Sequence, residues 1–228
     1  VDFDHRHMAS TVLKNDDIVV VYVNYDNGNY QLYMQRLNSE GVKQGSELLV
    51  IDNGSSSVEN PRLTALENGG FICVWYTQNN YDIKAQRFDA SGAKQGSTIA
   101  VNAGHSGSQT NPDIVAFTDN TFAIVYQDNS FPTGSSSDIV LQLFNSDGTK
   151  NGNEVLVNTY ITNTQAFATI DRFSDNSFVV AWESYGQIDS DSRYEIYFQR
   201  FDSARNPTPN KVGPETLVNT GKTYLDQR

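Results

Sequence analysis

Four copies of one short pattern constrain this chain more than any other feature. Asn68-Gly69-Gly70 is a turn signal, followed by the unbroken apolar run Phe71-Ile72-Cys73-Val74 and a closing aromatic, Trp75. The pattern returns at 15–22, 119–126 and 175–182, and the closing aromatics Tyr22, Trp75, Tyr126 and Trp182 are spaced by 53, 51 and 56 residues. Self-similarity at a period of about 50 residues marks a repeat architecture, in which a single unit cannot bury its own apolar face and must stack on a neighbour.

Each repeat offers four strand-like stretches separated by turn chemistry. The first alternates apolar and polar residues and twice opens on a proline, at Pro61 and Pro112, as expected of a strand whose first residue gives up no ladder bond. A turn of Asn, Asp, Gly or Ser follows, suited to positive φ. The second strand is the repeated apolar run, whose continuity predicts cover on both faces. The third carries a glutamine at one fixed place: Gln35, Gln86, Gln142 and Gln199. A buried amide must find partners or cost about 1–3 kcal/mol, so each is expected to tie its strand to a neighbouring segment. The fourth is short and is followed by Asn102, Asn158 or Asn219 in three repeats.

Four strands in each of four repeats predict an all-β, β-propeller-like fold, either a four-bladed propeller or a fragment of a larger one. The repeats fall at approximately 11–57, 58–108, 109–164 and 165–228, as one domain. Residues 1–10 do not match the repeat, and His7-Met8-Ala9-Ser10 reads as a cloning-vector remnant, so they are set aside. Both ends fall at repeat boundaries, which predicts a segment of a longer array.

The combination of Gly-Gly-Phe-Ile-Cys-Val-Trp (69–75), Ile-Lys-Ala-Gln-Arg-Phe-Asp-Ala-Ser-Gly (83–92) and Val-Asn (101–102) resembles a repeat of large secreted surface proteins. Such repeats occur in bacterial adhesins, in RTX-like giants and in ciliate surface proteins. The resemblance covers residues 11–228 and implies a secreted or cell-surface propeller-like module with an adhesive or scaffolding role. It carries over no catalytic residues.

Composition narrows the partners. The 228 residues carry a formal net charge of −11, a sign that repels nucleic-acid phosphates. No apolar run is long enough to span a membrane. Cys73, alone of its kind, lies inside an apolar run and reads as packing.

Catalytic patterns are sparse. Outside the first ten residues the sole histidine is His105, in a Gly/Ser loop, and neither a Gly-x-Ser-x-Gly elbow nor a His-Glu-x-x-His stretch occurs. The carboxylates sit mostly in turns, where they bind local amides. Tyr22, Trp75, Tyr126 and Trp182 end buried runs and are expected to be core. Only the loop after the second strand varies strongly among repeats, and such loops carry binding specificity. Their aromatic and polar residues are the candidate glycan-binding set: Tyr25 and Tyr30, Tyr76, Asn79 and Tyr81, Asp128 and Phe131, and Tyr185. Asp189 and Asp191 supply hard oxygen donors suited to calcium, although the surrounding loop fits neither an EF-hand nor an RTX nonapeptide. No other cofactor is expected.

The expected function is therefore a non-enzymatic extracellular adhesion module that binds glycans through these loops. Two alternatives stand beside it: a propeller-type glycoside hydrolase, whose acids would come from separate blades, and a structural scaffold that self-associates through open blade edges.

Overall fold

The computed structural model describes residues 5–26, 28–51, 56–102, 104, 106–131, 136–188, 194–205 and 207–219. Their sixteen strands form four antiparallel four-stranded meanders, one per repeat. Blade 1 holds β1 (His5–Val12), β2 (Ile18–Asp26), β3 (Asn29–Leu37) and β4 (Lys43–Ile51). Blade 2 holds β5 (Val58–Ala65), β6 (Phe71–Thr77), β7 (Ile83–Phe88) and β8 (Lys94–Ala100). Blade 3 comprises β9 (Gln109–Ala116), β10 (Phe122–Asp128), β11 (Asp138–Phe144) and β12 (Lys150–Leu156). Blade 4 comprises β13 (Gln165–Arg172), β14 (Phe178–Tyr185), β15 (Tyr194–Phe201) and β16 (Lys211–Leu217). The propeller-like expectation is met, blade for blade.

The segment set aside as a vector remnant has a structural place whatever its origin. His5–Ser10 makes up most of β1 and pairs with β2.

The innermost strands pack in series, β1 on β5, β5 on β9 and β9 on β13. Three apolar clusters fill the gaps between successive blades. Val19, Val21 and Val23 of blade 1 meet Phe71, Cys73 and Trp75 of blade 2. Ile72 and Val74 meet Phe122, Ile124 and Tyr126 of blade 3. Ala123 and Val125 meet Phe178, Val180 and Trp182 of blade 4. A strand with neighbours on both faces is buried at every position over its apolar run, as in β6 and β10. The strand β14 of the last repeat alternates buried with half-buried residues, because among the described residues one of its faces meets no further blade. Burying each large apolar side chain contributes about 1.5–3 kcal/mol, so the three gaps hold most of the fold's driving force.

The recurring polar residues do the same work in each blade. Gln35, Gln86, Gln142 and Gln199 donate from Nε2 to the carbonyl of the next residue at 2.7–3.0 Å. Each also reaches the carbonyl of Gly45, Gly96, Gly152 or Gly213 at 3.1–3.4 Å. Those glycines have φ of 72–74° and lie where the outer strand bulges against the third. The bulge lengthens the fourth strand beyond the few apolar residues legible in sequence; its outer half is exposed and polar, so hydrophobic patterning misses it. Asn102, Asn158 and Asn219 accept from the amides of Ile83, Ile139 and Ile196 at 2.8–2.9 Å, capping the start of each third strand.

Adjacent blades are also clasped by arginine. Arg36 Nη1 donates to Ser91 O of blade 2 at 2.7 Å, and Arg87 Nη1 to Asp147 O of blade 3 at 2.5 Å. Blade 3 carries Leu143 at that place. The long blade-4 loop supplies the clasp in reverse, with Arg205 over the Phe117 ring at 3.8 Å and Nη2 on Asp119 at 3.1 Å.

The hairpin carboxylates are held below the usual carboxylate range by their own turns. For Asp175 the Ser177 hydroxyl acts first and the Ser177 amide next; for Asp147 it is the Thr149 hydroxyl and amide. A carboxyl whose folded pKa is depressed contributes stability above its unfolded value of about 3.9 and loses it as pH falls. Stability should therefore decline as pH drops below about 4, and Asp175→Asn should flatten that decline in urea titrations at several pH values. Gln142→Ala, which strands the Gly152 bulge, should lower stability by about 1–3 kcal/mol, read as a lower urea midpoint at unchanged slope.

Candidate functional site

Each blade begins its innermost strand, turns from second to third strand, and ends its fourth strand at one and the same end, because a four-stranded meander alternates direction. The variable loops therefore share an end with the starts of β1, β5, β9 and β13.

At that end every innermost strand is broken by a bulge. His7, Asn60, Asn111 and Phe167 occupy the third position of the four strands, with φ of 45°, 46°, 52° and 53°. The pairing shifts register across each of them. Pro61 and Pro112 follow the bulge rather than opening the strand, and the broken ladder there is why a missing N–H is tolerated. Asn tolerates the left-handed region by bonding locally; an exposed phenylalanine does not, and Phe167 holds it at a cost of about 1–3 kcal/mol.

These bulges line the axis of the arc. Asn60 Nδ2 donates to Asn111 Oδ1 at 2.8 Å, and Asn111 Nδ2 donates to Gln127 Oε1 at 3.1 Å. His7 Nε2 lies 2.8 Å from Glu59 Oε2, and Gln78 Nε2 donates to Glu59 Oε1 at 2.7 Å. The Glu59 side chain is 7% exposed and that of His7 39%. Burial, and then the Glu59 charge, push the nearby Tyr76 hydroxyl up. One step along the strands, Asp113 Oδ2 accepts from Thr169 Oγ1 at 2.7 Å and from the Ile170 amide at 3.0 Å. Arg62 and Asp171 are exposed on the innermost strands β5 and β13. Phe167 is 61% exposed. The wall thus combines fixed carboxylates, amides, a cation and a bare aromatic ring, the equipment of a site for a polar, ring-shaped ligand.

Tyrosines picked from sequence pair within blades 1, 2 and 4, the last with Tyr194, which sequence reasoning did not single out. Tyr25 lies 5.1 Å from Tyr30 between ring centroids, Tyr76 lies 6.3 Å from Tyr81, and Tyr185 lies 5.0 Å from Tyr194. The Asn79 amide donates to Ser56 Oγ at 3.3 Å. One member of the set is corrected. Asp128 is fully buried and accepts from Gln109 Nε2 at 3.1 Å and from Ser130 N and Oγ at 2.7 Å, so it braces the loop from within. Phe131 is partly buried against the core between blades 2 and 3. Asp189, Asp191 and His105 lie outside the described residues. Among the described residues no group of three or more His, Cys, Asp or Glu is arranged to hold a metal. Cys73 is fully buried, and burial pushes its thiol up, as expected of a packing residue.

Sequence reasoning passed over the bulge residues. Two of them carried a signal: Asn60-Pro61 and Asn111-Pro112 recur 51 residues apart, and an Asn before Pro marks a break in regular structure. His7 fell in the segment set aside, and Phe167 reads as an ordinary strand residue.

The fold matches solved β-propellers. The α-L-arabinofuranosidase of Fusarium graminearum, in complex with arabinobiose, superposes with a TM-score of 0.68 at 12% identity over 94% of this chain and 66% of that one. The α-L-arabinanase of Penicillium chrysogenum, also bound to arabinobiose, gives 0.69 at 13% identity over 94% and 66%. An endo-arabinanase of Bacillus licheniformis gives 0.55 at 13% identity, covering 95% and 81%. This chain spans about two thirds of the length of the first two. No protein-family profile matches it, and no curated protein sequence does. At such identities the likeness establishes a shared β-propeller fold.

Those neighbours overturn the expectation of a non-enzymatic adhesion module. The solved propellers that superpose on this chain include glycoside hydrolases, which favours the alternative taken up below. Among the described residues no helix is long and apolar enough to cross a membrane.

Replacing Phe167 by asparagine, the residue at the same place in blades 2 and 3, should relieve the left-handed strain while giving up little burial. The expected gain is about 1 kcal/mol, measured as a higher urea midpoint.

Proposed function

We propose that this propeller arc is a secreted, glycan-acting hydrolase that binds sugars along its axial wall, at the end where β1, β5, β9 and β13 begin. The observation that carries the reading is the placing of Glu59, Asp113 and the exposed ring of Phe167 on the successive innermost strands β5, β9 and β13. Glycoside hydrolysis uses two carboxylates, one to give a proton to the leaving oxygen and one to attack or to activate water. Asp113 is aligned by the Thr169 hydroxyl and the Ile170 amide, which suits the second role. Glu59, held between His7 and Gln78 at the rim, is the carboxylate left for the first role. Phe167 offers a flat apolar face for a sugar ring, with Asn60 and Asn111 beside it for hydroxyls. Arabinose-containing glycans are the first substrate class to test, since the Fusarium and Penicillium enzymes bind arabinobiose. The resemblance of residues 11–228 to repeats of large secreted proteins supports an extracellular workplace.

Release of reducing sugar from arabinan, and turnover of nitrophenyl α-L-arabinofuranoside, are the direct measurements. Asp113→Asn and Glu59→Gln should each lower kcat/KM by about 10²–10⁴-fold with the thermal melt retained. Phe167→Ala should act mainly on KM. Absence of turnover by the unaltered protein on arabinan, xylan and the nitrophenyl glycosides, with and without calcium, would sink the reading.

A further inference from the structure

Two aromatic residues stand in left-handed backbone at the end where the innermost strands begin, Phe167 at φ 53° and Tyr81 at φ 55°. Among the described residues nine that are not glycine have positive φ, and six of these are asparagine or aspartate, which take that region by bonding locally. Tyrosine has no such bond to make. Tyr81 is also 43% exposed, so burial does not offset its strain. It lies in blade 2, which has a blade packed against each of its faces, so the exposure belongs to its hairpin and not to a missing neighbour.

The chain around Tyr81 fixes it in place. The turn from β6 to β7 is tied on one side to the entry of blade 2, where Gln78 N donates to Ser57 O at 2.9 Å and Asn79 N to Ser56 Oγ at 3.3 Å. On the other side Tyr81 O accepts from the amide of Gln109, the first residue of β9, at 2.8 Å. Within the turn the Thr77 hydroxyl donates to Asn80 Oδ1 at 2.8 Å, and Thr77 N donates to Asp82 O at 3.0 Å. The turn therefore bridges the entries of β5 and β9, the innermost strands that carry Glu59 and Asp113.

Tyr81 also has a backing. Its ring lies 6.3 Å from that of Tyr76 and nearly parallel to it, at 23°. Tyr76 is half-buried against the core between blades 2 and 3. It is the cross-strand partner of Glu59, so the two side chains leave the same face of the sheet. Glu59, Tyr76 and Tyr81 thus form a series that leads outward from the axis, from the first strand to the far side of the second. Asn79 and Asn80 are exposed in the same turn. The charges beside it, Asp82 and Lys84, pair with each other at 3.3 Å.

We infer that Tyr81, backed by Tyr76, is a second sugar-stacking site, and that its ligand is a chain of neutral sugars running from this ring to the axial wall. The inference rests on the reading of that wall as a site of glycan hydrolysis. A tyrosine ring offers a flat apolar face to the C–H side of a sugar, and the exposed amides beside it suit sugar hydroxyls. A ring held by both flanking blades loses little freedom when it binds. The ligand is a chain because Asp113 lies four residues along β9 from Gln109, roughly 13 Å at the usual strand rise, farther than one sugar ring reaches. The chain is neutral because the charge facing Tyr76 is Glu59 and the formal net charge of the protein is −11. Both repel an acidic polysaccharide.

Affinity electrophoresis in native gels, with and without dissolved polysaccharide, reads binding without requiring turnover. Arabinan or xylan should retard the unaltered protein, and polygalacturonate should not. Tyr81→Ala should raise the dissociation constant for the retarding polymer by about 5- to 10-fold, while Tyr81→Phe, which keeps the ring, should stay within about twofold. In turnover assays the rise in KM of Tyr81→Ala should be larger for the polymer than for the nitrophenyl glycoside, which is too short to reach the ring. Tyr81→Asn separates binding from architecture: asparagine accepts left-handed backbone, so the urea midpoint should be no lower while retardation is lost. Polymer turnover with retardation indifferent to the ring overturns the inference and leaves the hydrolase reading standing. Ring-dependent retardation without turnover keeps the second site and defeats the hydrolase reading. Retardation by neither neutral polymer, stronger retardation by polygalacturonate, or a Tyr81→Asn variant that loses stability and binding together overturns the inference.

Discussion

Everything in this fold depends on one blade covering the apolar face of the next. A four-stranded meander of this kind has two faces and a core only when both are stacked. Val19, Val21 and Val23 are fully buried because Phe71, Cys73 and Trp75 lie on them, and the relation repeats twice more. The arginine clasps stand at the same gaps and fix how far one blade slides against the next. Where the sequence places Leu143 instead of arginine, the longer loop of blade 4 returns an arginine from the opposite side, so the constraint is met by a different residue.

The repeated polar side chains explain how that stacking tolerates so many buried amides. Each recurring glutamine satisfies two carbonyls at a glycine bulge, and each recurring asparagine caps a strand start. Their job is internal, which is why they return in every blade or nearly so. Residues that differ between blades at one place are informative for the opposite reason. His7, Asn60, Asn111 and Phe167 share a backbone conformation and a position on the axis, yet carry three kinds of side chain. A shared scaffold with unlike side chains is how a repetitive wall becomes a site with direction. Keeping a phenylalanine in left-handed backbone there costs stability that an asparagine would restore, a pattern expected where a ring is exposed for binding.

Much of the scaffold was legible in the sequence and little of the site. Strand two announced itself by five apolar residues in a row, and the hairpin before it by Asn, Asp and Gly. The glutamines disclosed a shared structural role by recurring. The bulges did not announce themselves, because a bulge is a register relation between two strands, and only Asn-Pro hinted at it. Asp128 was misjudged for a related reason. Its loop is exposed in outline, but Gln109 and Ser130 close over the carboxylate, and sequence does not tell which side of a loop faces inward.

By itself the sequence determined the all-β repeat, its count of four, the order of strands within each unit and the residues that make each core face. These follow from periodicity and turn chemistry, which act over a few residues. The tertiary structure decided which residues meet at the axis, that Glu59 is gripped by a histidine from the first strand, and that Asp113 is aligned by a neighbouring blade. Those facts depend on the angle at which blades stack, a sum of packing contacts between residues some fifty positions apart. No local pattern encodes that angle, so the repeat could be read from the chain while the site could not.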